Sequence, residues 1–285
     1  MNEHYVAGID LGGTHMRGGI LHTEKISNLI SSKVVASASE GAVLHDLFQL
    51  TDQLMDTAPV RLIGIGVPSV VDVEKGIVYD VQNIPSWKEV PLKAVMEARY
   101  NVPVFINNDA NCFAVGEKYF GWGKGVSTMV GLSIGTGLGA GIIINDRLYE
   151  GLNCGAGEFG MVDYLDHNYE YYASGQFFRD IHHTTGEKMF KQAEMQEKGA
   201  IDLFAEFGKH LGNAIKMILY THDPQLVVLG GSVSRAYRYY EQSMWEQVRT
   251  FAYPKSLESF DIRLSRLEHC GIYGAAALCF NKATF

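Results

Sequence analysis

Proline is scarce in this chain, 7 of 285 residues, and cysteine is scarcer, with 4. Cys112, Cys154, Cys270 and Cys279 form no C-x-x-C pair, which excludes a sequence-local zinc knuckle. Without a secretion signal they read as buried free thiols, not as a disulfide framework. Positive charge is also in deficit. The 24 Lys and Arg stand against 32 Asp and Glu, a net charge of -8, which argues against a protein that wraps a polyanion and so against nucleic acid as a partner. A small phosphate site built from backbone amides is still compatible with that charge. The start, MNEHYVAGID, has no basic region followed by an apolar run, so a cytoplasmic location is expected. The charge-free run Gly125 to Asn145 tests for a membrane span. It contains six glycines with Ser127, Thr128, Ser133 and Thr136, which suits a turn between two strands, and no membrane association is expected. No G-x-x-x-x-G-K-[ST] loop occurs, so a Walker A site is excluded.

What is present is a globular composition, 47% hydrophobic and 20% charged, with 31 glycines gathered in a few short stretches. Tyr5 to Asp10 reads as a strand, followed by a Gly12-Gly13-Thr14 turn and a second apolar run at Gly18 to Leu21. Thr128 to Asn145 repeats the plan around Gly135-Thr136-Gly137. This predicts an internal duplication, two similar α/β halves that each present a glycine turn. Helical spacing predicts helices over Ala42 to Met55, Leu92 to Tyr100, a stretch from Ala110, a region from Ser174 to Ile181, and Ile201 to Tyr220. Leu62 to Val67, Val102 to Ile106, Leu226 to Leu229 and Ile262 to Leu264 read as strands, and Gly274 to Leu278 as a closing helix. The alternation makes the class α/β. The domain border is placed near residue 115, giving 1–115 and 116–285, with the closing helix able to pack back on the first domain.

Several stretches could carry chemistry. Asp10-Leu11-Gly12-Gly13-Thr14 follows an apolar strand, and successive glycines let backbone N–H groups face an anion. A carboxylate there suits a Mg2+ or its water shell; the simpler reading is a hairpin turn with an Asp cap. Gly135-Thr136-Gly137-Leu138-Gly139 is a second such loop, and two converging loops could hold a polyphosphate. Asn108-Asp109, at a strand-to-helix junction, is either an N-cap or a carboxylate beside amides that bind a polyol, with Asp109 accepting a hydroxyl proton. Glu158, in Gly155-Ala156-Gly157-Glu158-Phe159-Gly160, is a solvated turn or a carboxylate reaching into a cleft. His182-His183 has no partner at metal-ligand spacing and reads as surface.

Taken together, DLGGTHMR (Asp10 to Arg17), GIGVPSVVD (Gly64 to Asp72), NIPSW (Asn83 to Trp87), NNDANCFAVGE (Asn107 to Glu117), GTGLGAGIIIN (Gly135 to Asn145), GAGEFG (Gly155 to Gly160) and DPQLVVLGGSVS (Asp223 to Ser234) resemble the ROK family of sugar kinases and sugar-responsive repressors. The resemblance implies two similar actin/hexokinase-like (ribonuclease H-like) domains around a central cleft. It implies that Asp10, Gly12, Gly13, Thr14, Gly135, Thr136, Gly137 and Gly139 cradle the phosphates of ATP, that Asp10 holds Mg2+ through water, and that Gly230 and Gly231 lie against the adenosine. Asp109 would be the catalytic base on a sugar hydroxyl. Asn108, Glu158, Glu170 and Ser69 would bind the sugar, Ser69 standing where the family more often has glycine.

One departure concerns zinc. Met161 replaces a family histidine, and the loop Val162 to Asn168 lacks the family's three cysteines, so no zinc is expected. Apolar contacts from Val162, Tyr164 and Leu165, with the Tyr169 to Tyr172 cluster nearby, are expected to hold the loop, and Met161 is expected to influence sugar choice. The reading is a glucokinase-like, ATP-dependent hexose kinase, expected as a homodimer. Its alternatives are a kinase for allose, fructose or N-acetylmannosamine, and a non-catalytic sugar-binding or regulatory protein. The first phosphate loop begins at Asp10, which is expected to leave no room for a helix-turn-helix ahead of it.

Overall fold

The computed structural model describes residues 4–35, 37–81, 83–152 and 154–282. In chain order the strands and helices are β1 (Tyr5–Leu11), β2 (His15–His22), β3 (Lys25–Lys33), α1 (Glu40–Thr57), β4 (Val60–Val67), β5 (Val70–Asp72), β6 (Ile77–Tyr79), β7 (Glu89–Val90), α2 (Leu92–Tyr100), β8 (Val104–Asn108) and α3 (Asp109–Phe120). They continue with β9 (Met129–Ile134), β10 (Leu138–Ile144), β11 (Arg147–Tyr149), β12 (Asp163–Tyr164), β13 (His167–Asn168), α4 (Tyr169–Ala173), α5 (Gly186–Glu194) and α6 (Lys198–His222). The last are β14 (Leu226–Gly230), α7 (Tyr237–Val248), β15 (Asp261–Leu264) and α8 (Cys270–Lys282).

The chain divides into two compact units. The first comprises the described residues up to Lys124, Arg147–Ala156, and those from Leu267 onward; the second comprises Gly125–Asp146 and Gly157–Arg266. Residue 115, where the sequence reading places a border, lies inside the continuous helix α3, and the division falls at Lys124. The first unit also takes back Arg147–Ala156 and all of α8, neither of which a single border can describe.

In the first unit the sheet runs β3-β2-β1-β4-β8. β1 pairs antiparallel with β2 and parallel with β4, and β4 pairs parallel with β8. Helix α1 begins at Ser39, whose hydroxyl accepts the Ala42 N–H at 3.3 Å. It buries Val43, Leu47, Leu50 and Leu54 against the core formed with Ile9, Leu11, Met16 and Ile63. Each such side chain contributes about 1.5–3 kcal/mol by leaving water. Helix α8 packs against β1, β4 and α3 so closely that a Cβ on Gly64 would collide with the Ala275 carbonyl. Glycine is therefore required in β4 for the helix to approach the sheet.

In the second unit β10-β9-β14-β15 follow one another, β9 antiparallel to β10 and parallel to β14, and β14 parallel to β15. This is the pairing pattern of β2-β1-β4-β8, so the duplication is present in the topology as well as in the glycine turns. Helix α6 buries Phe204, Phe207, Leu211, Ile215 and Ile218. It stops where Asp223 turns left-handed, φ 42°, and donates its N–H to the Leu219 carbonyl at 3.1 Å. Among the described residues no helix is long and apolar enough to cross a membrane.

Candidate functional site

Register places the first group of residues. Asp10 on β1 pairs with Gly66 on β4, and Gly66 pairs with Asn107 on β8. The carboxyl-terminal ends of three neighbouring parallel strands therefore carry Asp10, Ser69 just beyond β4, and Asn107-Asn108-Asp109. In open α/β sheets this is the end where ligands bind. Asp10 also lies across the β1–β2 pair from Arg17.

Asn108 caps α3. Its side-chain oxygen accepts the Asn111 N–H at 2.7 Å. Asp109 is the first residue of the helix, and its Oδ1 accepts the Ala110 N–H at 2.9 Å. Its side chain is reached by solvent but is surrounded by protein. That desolvation pushes its carboxyl above the ordinary range, against the two backbone N–H groups, of Ala110 and of Asp109 itself, that favour the ionised form. Asp10 is half-buried. Desolvation first, then the charge of Asp109, raise it from 3.8 to about 6, while Arg17 works the other way. Gly271 at the start of α8 stands over it, since a Cβ there would fall 2.6 Å from the Asp10 Oδ2.

Two carboxylates short of positive charge at the mouth of one sheet form a donor set that suits a hydrated divalent cation. Asp10 is the residue that would hold it. The Gly12 N–H is committed to the turn, bonding the His15 carbonyl at 2.9 Å, which takes that amide out of the set available to an anion. Asn83 packs against Gly13, where a Cβ would overlap its side chain. The Ser69 hydroxyl donates to the Tyr79 carbonyl, so in this structure it ties β5–β6 to the exit of β4.

The second unit holds the other glycine turn. Gly135 donates to the Gly137 carbonyl at 3.0 Å. A segment 35–40 residues further on fixes this turn: Gly175 N–H bonds the Gly135 carbonyl at 2.8 Å, and the Ser174 hydroxyl bonds the Thr136 carbonyl at 3.1 Å. Glu170 accepts the Leu138 N–H at 2.9 Å and Gln176 Nε2 at 2.6 Å. Here Glu170 is thus bonded to the turn itself. Glu158 is exposed and opens the short 3-10 turn Phe159–Met161.

Gly230 ends β14 opposite Ser133 on β9, which sets the two glycine stretches at the ends of adjacent strands. Gly231 has φ +84°, and a Cβ would strike the Ile134 backbone, so only glycine fits. Beside them opens a cavity of about 580 Å3, whose lining includes Gly135, Thr136, Gly175, Thr184, Phe204 and Ser232. Thr184 Oγ1 is buried without a hydrogen-bond partner among the described residues. The size, the glycine turn at one edge and the orphaned hydroxyl fit a nucleotide. Ser232 falls within the DPQLVVLGGSVS stretch, whereas Gln176 and Thr184 lie in no motif of the sequence.

The short loop after Met161 forms the hairpin β12–β13. Among the described residues no group of three or more His, Cys, Asp or Glu is placed to hold a metal. Of the three residues expected to hold the hairpin, Val162 and Leu165 do not, being 43% and 68% exposed, whereas Tyr164 does, against the tyrosine cluster Tyr169 to Tyr172. The packing there is aromatic. Tyr164 stacks on Tyr169 with centroids 4.3 Å apart, and its hydroxyl lies 3.2 Å from His210 Nδ1 and accepts Asn213 Nδ2 at 2.9 Å. Met161 is 59% exposed.

Fold and site together define a mixed α/β protein of the actin/hexokinase type, with a glycine turn in each half. The chain belongs to the ROK family, whose description matches residues 6–282. It is 31% identical over 284 residues to the xylose repressor of Bacillus subtilis (strain 168), a match covering 92% of this chain and 73% of the repressor. It is 26% identical over 303 residues to the glucokinase of Thermotoga maritima, covering 95% of this chain and 96% of that protein. Among solved structures, the ROK family glucokinase from Streptomyces griseus in complex with glucose and AMPPNP superposes with a TM-score of 0.81 at 25% identity, covering 96% of this chain and 98% of that one.

Proposed function

We propose that this protein is an ATP-dependent hexose kinase of the glucokinase type. The observation that carries the reading is the Asp10–Asp109 pair, two carboxyls at the carboxyl ends of the parallel strands β1 and β8 that flank β4, both raised by desolvation. A sugar sensor needs neither a base poised above its ordinary range nor a cavity for a nucleotide. The likeness to glucokinases supports the same reading.

Bound ATP with its divalent cation supplies the phosphoryl group and the positive charge that screens it. The protein's own residues do the rest. Asn108 and Asp109 hold the acceptor hydroxyl, and the Asp109 carboxylate takes its proton late in the transfer. Asp10 keeps a negative charge where the hydrated cation would rest. The turn Gly135–Leu138, fixed from behind by Glu170, Ser174 and Gly175, presents backbone toward the phosphates, and Thr184 and Ser232 line the nucleotide's side. Asp109 in its ionised form is the working base, so activity rises with pH through its elevated ionisation.

The likeness to a xylose repressor favours a second reading, a sugar-responsive regulator. The net charge of -8 weighs against it, since DNA binding draws most of its affinity from phosphate neutralisation. The experiment is turnover of ATP with Mg2+ across glucose, allose, fructose, xylose and N-acetylmannosamine, with Asp109→Asn beside the wild type. Sugar-dependent ADP release, lost in the variant, supports the kinase. Sugar binding with no turnover in either supports the regulator.

A further inference from the structure

The junction that carries Asp109 is held by a set of side chains remote from it in sequence. Asn107, fully buried, is the hub. Its Oδ1 accepts three donors: the Asn108 N–H at 2.8 Å, Asn111 Nδ2 at 2.9 Å and the Cys154 thiol at 2.7 Å. Its Nδ2 donates to Glu150 Oε1 at 2.5 Å. Asn111 Nδ2 also donates to the Cys154 sulfur at 3.3 Å, which closes a triangle. Asn111 is tied at a second point, since its backbone N–H is the one that caps onto Asn108. Both residues flanking Asp109 in the cap, Asn108 and Asn111, are therefore fixed to one buried oxygen.

Two features indicate that this arrangement is specified and is not incidental filling. Cys154 has φ +60°, a left-handed backbone that glycine would adopt without cost, yet the position carries a side chain that both donates and accepts. Among the described residues Asn111 Oδ1 is buried without a partner, so its amide is oriented by its donors. Flipping it would set oxygen against the Asn107 oxygen. The segment Arg147–Ala156, which carries Cys154 and Glu150, is the stretch that returns to the first unit between two stretches of the second.

We infer that Asn107, Asn111 and Cys154 are positioning residues, and that their triangle fixes the β8–α3 junction so that Asn108 and Asp109 meet the sugar in one geometry. The inference rests on the kinase reading of Asp109. A thiol is suited to the third corner because it is small enough for the core and still offers a hydrogen.

The test compares Cys154→Gly, Cys154→Ser and a core control, Leu54→Val in α1. Glycine removes the hydrogen bonds while accepting the backbone angle, and serine restores a donor and an acceptor. Cys154→Gly should lower kcat about 10-fold with KM for ATP held within about 2-fold, because misplacing the base affects the transition state and not nucleotide binding. Cys154→Ser should recover most of the rate, and Leu54→Val should lower the melting temperature without lowering kcat. Amide hydrogen exchange gives a readout that needs no activity: the Asn108 N–H should exchange about 10-fold faster in Cys154→Gly and not in the other two. If the wild type phosphorylates no sugar, the kinase reading fails and the exchange rates alone decide the inference. Unchanged kcat and unchanged Asn108 exchange in Cys154→Gly, or a loss in Cys154→Ser equal to that in Cys154→Gly, would overturn it.

Discussion

Replacing Asp10 by asparagine should make the protein more stable while disabling it. The carboxyl is raised from 3.8 to about 6 in the folded state. Its folded value lies above its unfolded one. Stability linked to it is therefore intact below pH 3.8 and is lost as pH rises to about 6, beyond which the loss is constant. The full shift corresponds to about 3 kcal/mol, and solvent at the half-buried edge reduces this to about 2 kcal/mol. Asparagine has the same shape and no charge to desolvate. Urea unfolding of both proteins in metal-free buffer, from pH 4 to pH 8, measures the difference. The curves should nearly coincide at pH 4, part between pH 4 and 6, and stay apart by about 2 kcal/mol at pH 8 with the variant the more stable. A variant less stable at pH 8, or a gap that does not depend on pH, would refute the argument that burial and Asp109 load this carboxyl. Phosphoryl transfer by the variant should fall by at least about 100-fold if Asp10 holds the cation.

Asp109→Asn keeps the helix start but cannot take a proton; kcat should fall about 10²–10⁴-fold with sugar affinity little changed, read by steady-state kinetics and calorimetry. Gly271→Ala puts a methyl group against the Asp10 carboxylate and should reduce kcat while leaving nucleotide affinity alone, as an ADP titration can check. Gly231→Ala strains φ +84° and strikes the Ile134 backbone, so KM for ATP should rise more than KM for sugar. Chelator should leave the melting temperature unchanged, whereas Tyr164→Leu, which loses the stack on Tyr169 and the bonds to His210 and Asn213, should lower stability by about 1–2 kcal/mol.

Much of the fold was written locally. The β1–β2 and β9–β10 hairpins announce themselves as apolar runs around glycine turns, and α6 as a wide apolar stripe. Strand β3 (KISNLISSK) does not, because it lies at the sheet edge with no fully buried residue. The Ser174 to Ile181 region was expected to be helical, and from Gly175 to Ile181 it is, the last five residues as a π-helical turn; Ser174 itself adopts extended backbone while its hydroxyl bonds Thr136, which separates this helix from α4. A hydrogen bond across 38 residues accompanies the break at Ser174, and no period in the sequence reports it. Asp10 and Asp109 were legible because each sits at the end of a clear strand. Thr184, Gln176 and the Asn107–Cys154 contact were not, since their roles come only from residues brought together by the fold. On the shortened loop, Tyr164 and the tyrosine cluster pack as expected, while Val162 and Leu165 stay exposed, because the stacked rings already hold the hairpin.

The central claim, that the protein transfers phosphate from ATP to a hexose, is tested most directly by mass. Purified protein is incubated with Mg2+, ATP carrying an 18O-labelled γ-phosphate, and each sugar of the panel, and the products are separated. The account predicts one preferred hexose gaining the labelled phosphoryl group in step with ADP, and no such product with Asp109→Asn. ADP and labelled inorganic phosphate at a rate independent of any sugar, or no ADP from a protein that binds sugar, would contradict it.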